Sequence, residues 1–207
     1  MTSHIDIDPA ILYFGTPVAL LSTLNEDGTT NLMPMSSVFW LGRTAVLGVG
    51  ASSQTARNLR DRPEIVINLP SVDLVGQVDR LALTTGSAQL SPAKAARGYA
   101  FVADKYARAG LTPYGSETVL PTSVAECPVH LEGRVSSVHD LGAPKLVAVE
   151  VGVTAVRVAP ELRLDGHPHR IDPDRWRPLM MSFQHFYGLG DRVHPSSLAS
   201  IDEELYR

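Results

Sequence analysis

The stretch from Pro17 to Phe39, PVALLSTLNEDGTTNLMPMSSVF, decides the fold class. Pro17 to Leu24 is apolar and carries enough β-branched residues to read as a strand. Asn25-Glu26-Asp27-Gly28 is a tight turn, with glycine where a positive φ is wanted. Thr29 to Phe39 then returns as the second arm of a hairpin. Hairpins join antiparallel neighbours, whereas parallel strands need long crossovers. The opening hairpin therefore argues for an antiparallel barrel or α+β layout over a doubly wound parallel sheet.

Working outward, Gly42-Arg43 turns the chain and Thr44 to Val49 forms a third strand. A helix runs from Ser52 or Ser53 to about Arg62, where Pro63 stops it. Glu64 to Leu69, EIVINL, is the next strand, ended by Pro70. At the N-terminal side, Asp8-Pro9 reads as the start of a short helical turn through Tyr13. Ser71 is placed to cap a helix over Val72 to Leu81. Ser91-Pro92 opens a longer helix through Lys105 and Ala107, ended by Gly110. Residues 111–127 show no clear pattern.

Val129, Leu131 and Val135 alternate with His130, Glu132 and Arg134, as in a half-buried antiparallel strand. Gly142-Ala143-Pro144 turns it into a long strand from Lys145 to Val158. There Val147, Val149, Val151 and Val153 share one face, while Val156 and Val158 fall on the other parity. That switch predicts a bulge near Thr154. The last residues, 160–207, are rich in Pro, His and aromatics and read as a tail that wraps over the rest. No internal repeat is visible.

The chain has 207 residues, 44% hydrophobic and 19% charged, which fits one domain over 1–207 with its own core and excludes disorder as a description of the whole. A net charge of −4 argues against nucleic acid as a partner. The single cysteine, Cys127, excludes an intrachain disulfide and any multi-cysteine metal site, and reads as a small buried apolar residue. The start Met1-Thr2-Ser3-His4 has no signal-peptide character, and no apolar run approaches the ~18 residues a membrane span needs. The expectation is a soluble cytoplasmic protein with no membrane contact. His167-Pro168-His169 reads as a solvated loop, and no metal site is expected.

Two segments carry chemistry. Gly48-Val49-Gly50-Ala51-Ser52-Ser53-Gln54-Thr55 lies at a strand-to-helix junction. Helix N-termini offer free N–H groups and partial positive charge, Ser52, Ser53 and Thr55 add hydroxyls, and Arg57 and Arg60 follow, a combination suited to phosphate. By itself the segment fits an unliganded serine cap better. A Rossmann reading fails, because Ser53 replaces the third glycine and Asn68-Leu69-Pro70 ends the next strand without an acidic residue. In Asn31-Leu32-Met33-Pro34-Met35-Ser36-Ser37-Val38, Pro34 breaks the ladder and two serines follow in what should be core. Groups freed there can meet the polar edge of a flat heterocycle, although alone the segment fits an edge strand with a proline bulge. No carboxylate pair or nucleophile–base spacing singles out a catalytic side chain.

Thr16-Pro17-Val18-Ala19-Leu20, Asp27-Gly28, Asn31, Ser36-Ser37, Ser53-x-Thr55-x-x-Asn58-Leu59 and Val66-x-Asn68-Leu69-Pro70, taken in order, resemble the flavin reductase-like family of FMN-binding split barrels, which includes flavoredoxin-type proteins. The likeness is densest over 13–70 and continues through Glu126-Cys127-Pro128-Val129 and Tyr187-Gly188-Leu189-Gly190. It implies a mainly β split barrel, antiparallel and Greek-key-like, with peripheral helices. It implies FMN with its phosphate at Ser53, Thr55 and Asn58, with Ser52 nearby, and its ring against Met35, Ser36, Ser37 and Val38, with Asn31 also in the cofactor-binding set. It implies a homodimer and hydride transfer from NADH or NADPH to the flavin, with a flavin-dependent monooxygenase as a candidate recipient. A flavoredoxin-like electron carrier, a reductase of another substrate and a non-catalytic flavin-binding protein stand as alternatives. FMN is expected over FAD, because no second basic cluster for a pyrophosphate is visible. Phe39-Trp40-Leu41-Gly42 is more aromatic than in many relatives and is expected beside the flavin pocket.

Overall fold

The computed structural model describes residues 3–142 and 145–206. The first arm of the hairpin divides into Phe14–Pro17 (β1) and Ala19–Leu24 (β2). Thr30–Met35 (β3) pairs antiparallel with β2, Ala19 opposite Met35 and Leu24 opposite Thr30. Gly28 closes the turn at φ +81°. The second arm ends at Met35, because Ser36 and Ser37 turn the chain before Val38–Leu41 (β4). Gly42-Arg43 leads into Thr44–Gly50 (β5), followed by Gln54–Asp61 (α1) and Glu64–Leu69 (β6).

Beyond β6 the helices are shorter than the sequence suggests. Ser71 makes no side-chain cap, and a 3₁₀ turn over Val72–Leu74 precedes Val75–Asp79 (α2). The backbone there is drawn to the tail instead: Ser71 bridges to Pro178, and Val72 N–H donates to Arg177 O at 3.0 Å. Thr84–Thr85 (β7) follows, and the long helix expected over 91–109 is two. Pro92–Ala96 (α3) stops at Gly98, with φ +79°. Ala100–Phe101 (β8) pairs parallel with β7. Asp104 then caps Lys105–Ala109 (α4), which ends at Gly110 in the left-handed conformation as expected. The helical turn expected after Asp8-Pro9 is absent. A turn that short needs tertiary packing to form, yet Ile5 and Leu12 are exposed.

Residues 111–127 contain a small ribbon, Pro113–Tyr114 (β9) with Ser123–Val124 (β10). Val129–Asp140 (β11) and Leu146–Val158 (β12) form the longest antiparallel pair. Glu132 faces Ala155 and Gly133 faces Val153, which leaves Thr154 as the extra residue of a bulge where the parity switch placed it. The turn read at Gly142-Ala143-Pro144 lies outside the described residues. In the tail, Leu179–Ser182 (β13) and His185–Gly188 (β14) form a hairpin that pairs with β1 in the order β1-β13-β14.

The main sheet has seven strands in the order β3-β2-β6-β11-β12-β5-β4, every neighbouring pair antiparallel. Laid flat, seven strands would separate the outer two by about 29 Å at ~4.8 Å per step. Yet β3 and β4 are joined by only Ser36 and Ser37, about 10 Å of chain from Met35 to Val38. The sheet must therefore curl until its edges meet at that corner, giving an antiparallel split barrel. Leu21, Leu47, Ile65, Ile67, Val149 and Val151 fill the barrel. A second core, with Leu20, Leu32, Val78, Leu81 and Tyr106, lies between the outer face of β2–β3 and the helices. Among the described residues no helix is long and apolar enough to cross a membrane.

Glu132 on β11 is fully buried and ties the 111–127 segment to the barrel. Its carboxylate accepts from Glu117 N–H, from Thr118 N–H and hydroxyl, and from the Arg157 guanidinium. Burial alone would raise its pKa, but these donors together hold it below the ordinary 4.5. A depressed carboxyl stabilises the fold above its unfolded pKa, and that stabilisation is lost as pH falls through the folded value. Glu132→Gln turns an amide N–H₂ toward donors. It should lower stability at pH 7 by about 1–3 kcal/mol, with the deficit shrinking below pH 4.5. Urea unfolding of both proteins from pH 7 to pH 3 measures this; a pH-independent deficit would refute it.

Candidate functional site

α1 starts where Ser53, in extended conformation, accepts the Ala56 N–H on its hydroxyl at 3.0 Å. The side chains of Thr55 and Asn58 turn inward, 1% and 0% exposed, and Asn31 on β3 is 2% exposed. Asn31 Nδ2 donates to Thr55 Oγ1 at 3.2 Å. Asn58 Nδ2 donates to Thr23 Oγ1 at 3.1 Å and Asn25 Oδ1 at 2.9 Å, and Asn58 Oδ1 accepts from Gln54 Nε2 at 2.8 Å. Asn31, Thr55 and Asn58 therefore clamp α1 onto the β2–β3 hairpin. Ser52 is exposed and Ser53 half-buried at the helix start. The first-turn N–H groups of any helix lack intrahelical acceptors, so an anion beside Ser52 and Ser53 would meet donors and partial positive charge.

Gly50, at the end of β5, connects this helix start to a cleft: its carbonyl accepts Ser53 N–H at 2.9 Å, and Gly50 also lines the cleft. The cleft has a volume of about 540 Å³ beside the β3–β4 corner. Met35, Ser36 and Ser37 line it, with Met33 and Pro34 before them. Val38, 5% exposed, packs into the barrel core instead. Val78 and Asp79 of α2, Tyr99, and Met181, Gln184 and Phe186 of the tail hairpin also line it. Gly48 permits the corner to close, since a Cβ there would stand 3.0 Å from Ser37 Cβ, and Gly48 N–H donates to Ser37 O at 2.8 Å. Tyr13 and Ser37 share a hydroxyl hydrogen bond of 2.8 Å.

Tyr13, Tyr99, Gln184 and Phe186 have no sequence signal that marks them as wall residues. They arrive from the N-terminal arm, the α3–β8 connection and the tail. The β13–β14 turn is Phe183-Gln184, both at positive φ, 44° and 68°. Neither residue is the glycine or asparagine that such a turn favours, so the turn holds local strain at the cleft mouth. Trp40 lies elsewhere than expected: with Gly42, Arg43 and Trp176 it lines a separate cavity of about 380 Å³ at the far end of β5.

The charge distribution adds a feature the sequence did not show. Arg57 folds back onto the helix start, donating to Ser52 O at 2.9 Å and Gln54 Oε1 at 2.7 Å. Lys94 and Arg97, from α3 and the residue after it, stand over the Tyr99 ring at 5.8 and 5.6 Å. Burial, then the charges of Arg57 and Arg97, lower the Lys94 pKa from 10.5. A basic pair therefore stands against Tyr99 of the cleft, where the sequence led us to expect no second basic cluster. Beneath β3, Lys105 is 3% exposed and donates to Leu32 O at 2.6 Å. Burial, helped by Lys94, pushes its pKa down to about 8.

Comparison with known proteins places the chain. The family model described as "Flavin reductase like domain" matches residues 11–190. An uncharacterized protein of Bacillus subtilis (strain 168), YdfE, is 40% identical over 188 residues, covering 91% of this chain and 90% of that protein. The fold is similar to flavoredoxin of Desulfovibrio vulgaris (Miyazaki F), with TM-score 0.79, 19% identity, and coverage of 96% of this chain and 100% of that one. It is also similar to nitrilotriacetate monooxygenase component B from Bacillus cereus, with TM-score 0.73, 18% identity, and coverage of 94% and 100%.

Two measurements test the local structure. Asn58→Ala leaves the buried Thr23 hydroxyl without this donor, at about 1–3 kcal/mol, and also removes the bonds to the half-buried Asn25 and Gln54, whereas Ser53→Ala should cost only about 1 kcal/mol as a lost cap. Equal losses in denaturant unfolding would contradict the clamp. For Lys105, the folded state gives up its proton near pH 8 and the unfolded chain near 10.5. The cost of burying the charge is present below pH 8 and relieved as pH rises toward 10.5. Wild type should therefore gain stability relative to Lys105→Met across that window, and parallel pH–stability curves would contradict it.

Proposed function

The chain belongs to the flavin reductase-like family, and from that premise we propose that it is an FMN-dependent oxidoreductase, an NAD(P)H:flavin reductase. The observation that carries this is the continuity of an anion-receptive helix start with a cleft lined largely by apolar residues through Gly50. A cleft of about 540 Å³ is in the range of small-molecule and cofactor sites. Apolar walls from Met33, Met35, Met181 and Phe186 suit a planar ring, and polar groups at Ser36, Ser37 and Gln184 suit its edge. The residues fit a flavin with its phosphate at the start of α1.

A bound flavin supplies the hydride chemistry, so the protein need only bind, orient and exclude water. Ser52, Ser53 and the first-turn N–H groups hold the phosphate, while Asn31, Thr55 and Asn58 hold the helix that presents them. The β3–β4 corner offers backbone groups that no ladder consumes. The Met and Phe walls exclude solvent. No cleft side chain is required to move a proton.

The same reading includes a homodimer. Ile5 and Ile7 are 84% and 74% exposed in the N-terminal arm, apolar surface that a second copy would cover. A monooxygenase that takes up reduced flavin is the proposed recipient, as the likeness to a monooxygenase component suggests. The alternative, an FMN-retaining electron carrier, is favoured by the likeness to flavoredoxin. Gel filtration separates the two, since a carrier retains FMN and a reductase that feeds another enzyme releases it.

Ser53→Asp is the discriminating variant. Aspartate caps a helix as well as serine and favours its positive end, so stability should hold or rise. Its charge opposes a phosphate, so FMN affinity should fall at least tenfold, about 1.4 kcal/mol. NADH or NADPH oxidation in the presence of FMN, followed by absorbance, is expected for wild type. A folded Ser53→Asp protein that binds FMN like wild type overturns the phosphate assignment, and absence of nicotinamide oxidation overturns the reductase reading.

A further inference from the structure

Two cations, Lys94 and Arg97, meet at one residue of the cleft wall, Tyr99. A third, Arg57, is held at Ser52. Among the described residues no ion pair involves any of the three. The carboxylate of the cleft wall, Asp79, is not bonded to them. Arg97 spends only its Nε–H on the protein, donating to Ala93 O at 3.0 Å, so its terminal amino groups stay available. Like charges gathered without a counter-charge destabilise the protein alone, and an anion removes that cost.

The flavin does not account for all three. FMN carries one phosphate monoester of about −1.5 to −2 charge, and the helix start, Ser52, Ser53 and Arg57 already serve it. FAD would add no net negative charge, since it replaces that monoester with two singly charged diesters. A further dianion is what the surplus calls for. NADPH differs from NADH by one such group, a phosphate monoester whose terminal oxygens two separate cations can meet.

We propose that Lys94 and Arg97 form a second phosphate subsite that takes the 2′-phosphate of NADPH. This rests on the reductase reading for its role in turnover, but the subsite is testable without turnover. The adenosine end of the dinucleotide then lies along Tyr99 while the nicotinamide end faces the ring site at the β3–β4 corner. Charge-assisted bonds to a doubly charged monoester are the strongest hydrogen bonds available to such a group, so the subsite selects between the two nicotinamide nucleotides.

The experiment uses the full chain and its double variant Lys94→Ala/Arg97→Ala. Both replaced residues lie on or just after the short surface helix α3, and melting curves check that the variant is folded. Calorimetric titration with 2′,5′-ADP and with 5′-AMP reads phosphate recognition directly. Wild type should bind 2′,5′-ADP at least tenfold tighter, and the variant should lose that preference. In turnover with FMN, the ratio of kcat/KM for NADPH to that for NADH should fall at least tenfold in the variant. A second variant, Lys94→Arg/Arg97→Lys, keeps the charges and should keep the preference. Equal losses for NADH and NADPH would assign the cluster to the pyrophosphate shared by both and overturn the proposal. A loss of FMN affinity as large as the loss for NADPH would assign it to the flavin and overturn it as well. A preference for 2′,5′-ADP that survives in the variant would place the 2′-phosphate elsewhere. If wild type shows the preference but oxidises neither nucleotide, the reductase reading falls and the subsite stands.

Discussion

Closure of the barrel within two residues is the constraint on which the rest of the structure depends. The chain must leave one edge of a seven-stranded sheet and enter the other across Ser36 and Ser37 alone. The short connection forces curvature, and the curvature opens a corner where backbone polar groups leave the ladder. Pro34 suits the strand entering that corner, because an edge position tolerates the missing N–H. Gly48 suits the strand facing it, because any side chain there would press on Ser37. The cleft is thus a consequence of closure, built from the same residues that make closure possible.

The helix start reaches the cleft by a second constraint. α1 is only eight residues long, too short to be stable by itself. Its apolar residues Ala56 and Leu59 bury against the barrel, and the buried polar chain through Asn31, Thr55, Asn58, Thr23 and Gln54 fixes its rotation. Buried polar groups that are fully paired specify one arrangement, because any other leaves them unsatisfied. With rotation fixed, Ser52, Ser53 and the folded-back Arg57 face the side from which an anion can approach. Electrostatics then builds outward, since α3 and the residue after it add Lys94 and Arg97, and burial, followed by the charges of Arg57 and Arg97, lowers the pKa of Lys94.

Local pattern carried a large part of this. The hairpin around Asn25–Gly28, the strand EIVINL and the α1 start at Ser53 depend on turn residues, runs of apolar residues and caps that neighbours in sequence determine. The bulge at Thr154 was legible because one strand face must stay apolar, so a change of parity demands an extra residue. The helix over 91–109 misled, because Gly98 and the Asp104 cap divide it and β8 inserts between the halves. Ser71 misled for another reason: its backbone pairs with Pro178, more than a hundred residues away, and tertiary pairing outweighs a local cap preference.

The sequence by itself determined an antiparallel sheet, the helix start suited to an anion and the strand break at Ser36-Ser37, because each follows from periodicity, φ requirements and unpaired backbone groups within a few residues. Only the tertiary structure decided which of these residues line the cleft and which hold the helix, since Met35, Ser36 and Ser37 line it while Asn31, Thr55 and Asn58 are buried by partners distant in sequence. It alone brought Tyr13, Tyr99, Gln184 and Phe186 to one cleft and set Lys94 and Arg97 against the Tyr99 ring. The physical reason is that propensity and capping act over a turn or two of chain, whereas burial and Coulomb interaction depend on distance in space.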